Sequence, residues 1–266
     1  VKSKISELIH RLSKVTPFPE TELDNILKTE FGISLIKLRT LEDAEIVPDL
    51  ERIVEERVLT GIPFQYLTGR ALFMDEIFFV SPAVLIPRAE TELLVETASD
   101  LITRHSLKSL VDVGTGSGII AITLKKRYPA LRTLATDISF DALKVAKKNA
   151  ILHSVDVDFV QCNLLSCLDG PFDLIVSNPP YVGTNDPYRD FRQSEPEIAL
   201  IGGEKGYELS LELIFQAADR LSKRGYIIIE VNPYVVEEMM GKLSGFEIQL
   251  IKDFNGANRV MVLWMT

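Results

Sequence analysis

Cysteine is scarce in this chain. Only Cys162 and Cys167 occur among 266 residues, too few for a disulfide framework and spaced like no zinc site. The three histidines, His10, His105 and His153, are scattered, so no metal centre is expected. Positive charge is also short: 29 Lys and Arg stand against 38 Asp and Glu, a net charge of −9. That balance argues against direct nucleic-acid binding, which relies on clustered basic side chains, and suits a basic protein partner instead. Uninterrupted apolar runs of bilayer-spanning length are missing. Val1 to Lys14 mixes Lys2, Lys4, Glu7 and Arg11 through its apolar positions, so a secretion signal is not expected there. These gaps together predict a cytoplasmic protein without metal or membrane contact.

Apolar residues are plentiful, at 46% of the chain with 25% charged, enough for a substantial core. The length suits one large domain with a smaller companion. Residues 1–70 read as a helical bundle: Ile5, Leu8, Ile9, Leu12 and Val15 recur at helical spacing. A second helix runs through Leu23, Ile26 and Leu27 to a Gly32 stop, and a third through Leu50, Ile53, Val54 and Val58 to Gly61. Residues 71–90 read as a hairpin linker, with strands Ile77–Val80 and Val84–Ile86 about a Ser81-Pro82 turn. Over residues 91–266 strands alternate with amphipathic helices, which predicts an α/β domain with a mostly parallel, doubly covered sheet. Strands are expected at Ser109–Val113, Arg132–Thr136, Val157–Gln161, Asp173–Ser177, Tyr226–Val231, Phe246–Ile251 and Val260–Trp264. Helices are expected at Thr91–Arg104, Gly118–Arg127, Phe140–Leu152, Tyr207–Leu221 and Tyr234–Leu243.

Strand Leu110-Val111-Asp112-Val113 runs straight into Gly114-Thr115-Gly116-Ser117-Gly118 and then an apolar helix. Glycines at the carboxyl end of such a strand let backbone approach a ligand closely. No Lys-Ser or Lys-Thr follows, so a nucleoside-triphosphate loop is excluded. Asp137, ending the next strand, is placed to accept hydrogen bonds from ribose hydroxyls, as in a dinucleotide fold. Asp112 separates the alternatives: beside a pyrophosphate its charge is costly, beside an ammonium and a sulfonium it is stabilising. The Gly-x-Gly-x-Gly spacing likewise favours a methyl donor over a dinucleotide. The competing role for Asp112 is to cap backbone amides of its own loop. After the following strand, Asn163 is a candidate partner for an adenine amino edge, with Leu164 packing on the ring.

The strand Phe172–Ser177 ends in Asn178-Pro179-Pro180-Tyr181. Two adjacent prolines stiffen the backbone and leave carbonyls free to face a cleft. The Asn178 side-chain oxygen and the Pro179 carbonyl are two acceptors able to hold both hydrogens of an NH₂ group, and Tyr181 offers a flat wall. Such a grip aligns the weakly nucleophilic nitrogen of an amide or aromatic amine. Asn178, Pro179 and Tyr181 are therefore the catalytic candidates.

In these motifs the chain resembles the HemK/PrmC family, the glutamine methyltransferases of peptide-chain release factors. The likeness also rests on Pro63-Phe64-Gln65-Tyr66-Leu67-Thr68-Gly69, Val84-Leu85-Ile86-Pro87-Arg88, Glu90-Thr91-Glu92, Glu195-Pro196 with Ala199-Leu200, Gly202-Gly203 with Gly206, and Asn255-Gly256 with Arg259. It implies a class I methyltransferase fold, Rossmann-like, of seven strands with the last antiparallel, and an N-terminal bundle that docks the release factor. S-adenosylmethionine is the implied cofactor, leaving as S-adenosylhomocysteine. Its implied contacts are Asp112, Gly114, Thr115, Gly116, Ser117, Gly118, Asp137, Asn163, Leu164 and Asn178. The implied substrate is the glutamine of a Gly-Gly-Gln loop, held by Asn178, Pro179, Pro180 and Tyr181, and the enzyme is expected to be a monomer. The tetrapeptide alone also suits a nucleic-acid adenine-amino methyltransferase. Three departures stand out: Ala89 for the usual Pro, Asn163 for the commoner Asp, and Val231-Asn232-Pro233 after the retained Glu230. Arg88 and Glu90 are either cleft contacts or a salt-bridged linker, and Glu195–Gly206 is expected to form a mobile flap.

Overall fold

The computed structural model describes residues 2–40, 47–186 and 194–265. The chain divides into two compact units, Val1–Pro82 and Ala83–Thr266. In the first, helices α1 (Lys2–Leu12), α2 (Pro19–Phe31), α3 (Leu35–Thr40), α4 (Val47–Thr60) and α5 (Phe64–Thr68) precede a hairpin of β1 (Arg70–Phe73) and β2 (Glu76–Phe79). Helix α2 shows why the sequence starts and stops where it does. Pro19 sits in its first turn, where no N–H is needed, and Glu20 and Glu22 face the positive end of the dipole. Gly32 closes it at φ 64°, its N–H donating to the Lys28 carbonyl while the Ile33 N–H donates to the Leu27 carbonyl, as the Gly32 stop predicted. Leu8, Leu12, Leu23, Ile26, Leu27, Leu50 and Val54 meet in one apolar cluster. Arg57 ties α4 to α2 with a 2.6 Å ion pair to Glu22, both side chains largely buried. Helices α3 and α5 were not foreseen, being too short to show a period.

The hairpin corrects an expectation. Its strands are β1 and β2, in the register Arg70 to Phe79 and Phe73 to Glu76. Met74 and Asp75 form the two-residue turn with φ of 49° and 62°, the left-handed pair that matches strand twist. Neither is glycine, so the turn carried no sequence flag. Val84–Ile86, read as a strand, is not part of any strand among the described residues; the Ile86 N–H donates to the Glu195 carboxylate at 3.0 Å.

The second unit holds β3 (Ser109–Val113), β4 (Arg132–Asp137), β5 (Asp158–Gln161), β6 (Phe172–Ser177), β9 (Leu221–Glu230), β10 (Glu247–Lys252) and β11 (Asn258–Trp264) in one seven-stranded sheet. A separate parallel pair, β7 (Val182–Gly183) with β8 (Ile201–Gly203), follows the Asn178-Pro179-Pro180-Tyr181 tetrapeptide. The large sheet is ordered β10-β11-β9-β6-β3-β4-β5. Its strands are parallel except β11, which runs antiparallel to both β9 and β10. This is the class I methyltransferase sheet. Every residue of β3 is buried, as expected of a parallel strand covered on both faces. Helices α6 (Glu90–His105), α7 (Ile119–Arg127), α8 (Phe140–Leu152), α9 (Glu208–Ala218) and α10 (Val236–Met240) complete the unit. Strand β9 begins at Leu221, where a helix was expected to end, because Leu221 pairs with Phe172. No helix among the described residues is long and apolar enough to cross a membrane.

Candidate active site

The carboxyl ends of β3, β4, β5 and β6 lie side by side, which brings together segments far apart in sequence. Past β3, Gly114 and Gly116 adopt φ of 67° and 56°, and a Cβ on either would project into open space. That open space is where a ligand can lie against bare backbone. Gly118 serves differently: a Cβ there would stand 2.7 Å from Ile122 Cδ1 and 3.2 Å from Ala146 Cβ, so its bareness lets α7 and α8 close together. The loop is pinned from three sides. Thr115 N–H donates to the Thr136 carbonyl at 2.9 Å, Gly116 N–H to Asp137 Oδ2 at 2.9 Å, and Asn149 Nδ2 to the Ser117 carbonyl at 2.8 Å. Asn149, fully buried on α8, was not singled out from the sequence; a polar residue inside an otherwise apolar stripe was its only signal.

The two aspartates take different places. Asp137 reaches the cavity with its remaining acceptor capacity, holding Gly116 N–H on Oδ2 and Ser139 N–H on Oδ1 at 2.8 Å. Burial pushes its pKa up, against those amide bonds. Asp112 is completely buried and does not line the cavity. Its Oδ2 accepts from the Thr115 hydroxyl at 2.6 Å and from Ala121 N–H at 3.1 Å, which caps the start of α7. Its Oδ1 has no partner among the described residues. Burial pushes its pKa up to about 7, and the charge of Asp137 adds to that.

These ends enclose a cavity of about 430 Å³. Of the predicted residues, Gly114, Thr115, Gly116, Ser117, Asp137, Asn163, Leu164, Asn178 and Pro180 line it, while Asp112, Gly118, Pro179 and Tyr181 do not. Leu164 is held at φ 51°, an uncommon conformation for a branched side chain and one that concentrates at binding sites. Cys162 and Cys167 are joined across this turn, with Cα atoms 6.0 Å apart. Ile138, beside Asp137, presents an exposed apolar side chain at the same end. The Ala83–Arg88 segment and the turn Glu197–Ala199 also line the cavity. Glu195 locks them together by accepting from Ile86 N–H and pairing with the Arg88 guanidinium. The segment expected to be a flap is thus anchored, and Arg88 is both a cavity residue and half of an ion pair.

At the end of β6, Ser177 donates its hydroxyl to the Val113 carbonyl at 2.7 Å, fixing the tetrapeptide beside the glycine loop. Asn178 is half-buried and lines the cavity. Its Nδ2 donates to Thr91 Oγ1 at 3.0 Å, leaving Oδ1 without a partner among the described residues. The Tyr181 hydroxyl donates to Glu230 Oε1 at 3.0 Å, and the Thr91 hydroxyl to Glu230 Oε2 at 2.8 Å. Behind the prolines, Gly202 and Gly206 are so close that a Cβ on either would run into the Pro180 or Tyr181 carbonyl. Sequence reasoning passed over Thr91 and this function of the glycines, since both depend on contacts distant along the chain. No cluster of metal-ligating side chains occurs among the described residues.

Residues 89–192 match the family model of the methyltransferase small domain. The release factor glutamine methyltransferase of Koribacter versatilis is 36% identical, covering 97% of this chain and 95% of its own. That of Deinococcus radiodurans is 32% identical, covering 97% and 96%. Among solved structures, a ribosomal protein methylase from Lactobacillus delbrueckii subsp. bulgaricus is 27% identical with a TM-score of 0.51, over 67% of this chain and 80% of that one. A methyltransferase from Pyrococcus furiosus shares the fold at 19% identity and a TM-score of 0.51, over 82% and 98%.

Proposed function

The chain belongs to the release factor glutamine methyltransferase family, and from that premise we propose that it methylates the glutamine side-chain nitrogen in the Gly-Gly-Gln motif of peptide-chain release factors. The methyl source is S-adenosylmethionine, which leaves as S-adenosylhomocysteine. The residues present fit that cofactor. Bare backbone at Gly114 and Gly116 opens onto the cavity, Asp137 offers a carboxylate to the ribose hydroxyls, and Ile138 and Leu164 offer apolar surface to the adenine beside Asn163. In its ionised form Asp112, its Oδ1 orphaned among the described residues, would supply negative potential beneath the loop, complementary to a cationic ligand and costly beside a pyrophosphate. When bound, S-adenosylmethionine supplies an electrophilic methyl carbon on a positively charged sulfur.

The chain's own part is alignment. An amide nitrogen shares its lone pair with its carbonyl and attacks poorly until that overlap is reduced. Asn178 Oδ1 accepts one hydrogen of the glutamine NH₂ and the Pro179 carbonyl the other, which holds the nitrogen facing the methyl carbon. Tyr181 walls the glutamine, its ring held in place by the hydroxyl on Glu230. One observation carries this reading: among the described residues Asn178 Oδ1 has no partner, while Nδ2 is engaged by Thr91 and the residue lines the cavity. Incubation with labelled methyl donor and either a release factor or DNA tests it. Label is expected in the release factor; label in DNA alone would replace this reading with an adenine-amino methyltransferase.

A further inference from the structure

A buried carboxylate that makes no ion pair is an expensive feature of a fold. Glu230 is such a group: it is fully buried at the end of β9, and among the described residues its only side-chain partners are the hydroxyls of Thr91 and Tyr181. Burial pushes its carboxyl pKa up; the two hydroxyls and Arg259 oppose that, and Glu90 adds to it. Neither hydroxyl needs a carboxylate to be satisfied, since a neutral acceptor would serve at lower cost.

We propose that Glu230 and Thr91 are positioning residues that fix which end of the Asn178 amide faces the substrate. The inference rests on the glutamine reading given above. It follows from counting protons. With Glu230 ionised the carboxylate only accepts, so the Thr91 hydroxyl donates its single proton to Glu230 Oε2 and the Tyr181 hydroxyl donates its own to Oε1; protonation, which burial favours, would free one of these protons. In the ionised state Thr91 Oγ1 has only lone pairs to offer Asn178. The amide must present Nδ2 to it, at 3.0 Å, and turn Oδ1 to the cavity. A flipped amide would set two acceptors against each other at Thr91 and point two donors at the substrate NH₂, which needs acceptors. One carboxylate therefore orders both Asn178, through Thr91, and Tyr181, directly.

Glu230→Gln tests this with almost no change of shape. A carboxamide meets the two hydroxyls with one oxygen and one NH₂, so one proton direction must reverse. If the NH₂ faces Thr91, that hydroxyl is freed to donate to Asn178, and the amide turns over. Turnover on a release factor is expected to fall roughly 10- to 100-fold with cofactor affinity, measured by calorimetry, unchanged. Thr91→Val, which removes the acceptor, is expected to do the same, and Thr91→Ser, which restores it, to recover turnover relative to Val. A second readout needs no substrate. The side-chain NH₂ resonances of Asn178 should shift in Glu230→Gln and Thr91→Val and stay near wild type in Thr91→Ser. Wild-type turnover with unmoved Asn178 resonances in both Glu230→Gln and Thr91→Val would overturn the proposal. If the wild-type enzyme methylated no release factor, the glutamine reading would fall and the resonances alone would decide the positioning role.

Discussion

At the scale of single residues, the account assigns binding and turnover to different side chains, and the two separate on mutation. On the proposed reading Asn178 acts on the nucleophile, so Asn178→Ala is expected to lower turnover by roughly 100-fold or more while calorimetry finds cofactor affinity little changed. Equal losses in both would mean that Asn178 chiefly shapes the pocket. The same reading places Asp137 on the cofactor, so Asp137→Ala is expected to weaken its binding roughly 10- to 100-fold, the cost of a charged hydrogen-bond acceptor. Asp112 has a signature in stability. Its carboxyl binds a proton more tightly in the fold than in the unfolded chain, with a pKa raised from 3.8 to about 7. Its contribution is therefore full below pH 3.8 and lost as the pH rises through about 7, at up to about 1.4 kcal/mol per pH unit. Asp112→Asn removes that slope. In urea melts without cofactor, the variant should gain on wild type between pH 5 and pH 8; parallel curves would contradict the assignment.

At the scale of elements, what could be read in the sequence was what local pattern records. The buried strands β3 and β6 showed as mostly apolar runs broken by Asp112 and Asp173, Gly114 and Gly116 showed as a break between strand and helix, and Asn178 followed a strand end. What was not legible is contact between distant segments. Val84–Ile86 has the composition of a strand, yet its N–H at Ile86 goes to Glu195, more than a hundred residues away. Glu230 looks like one more strand-end acid until Thr91 and Tyr181 are placed on either side of it. The Gly202 region looked like a flexible flap because glycine means either freedom or close approach, and sequence does not say which. Here it means close approach to the Pro180 carbonyl. Gly202→Ala is accordingly expected to displace the tetrapeptide and cut turnover roughly tenfold or more with the sheet intact, by circular dichroism. Unaltered turnover would show that the backing is not tight.

At the scale of the molecule, a helical unit ending at Pro82 precedes a methyltransferase unit, and relatives of the same family align with this chain over nearly its whole length. The docking role that the family resemblance implies for the bundle of residues 1–70 predicts that residues 83–266 alone bind cofactor but methylate a release factor with a raised KM. An unchanged KM would remove docking from the first unit. Tandem mass spectrometry of a release factor after reaction tests the central claim most directly, because it locates the added methyl on one atom type of one residue. The account predicts a single methyl on the side-chain nitrogen of the Gly-Gly-Gln glutamine, absent when Asn178 is replaced by alanine. A methyl on any other residue, or undiminished glutamine methylation by the alanine variant, would contradict it.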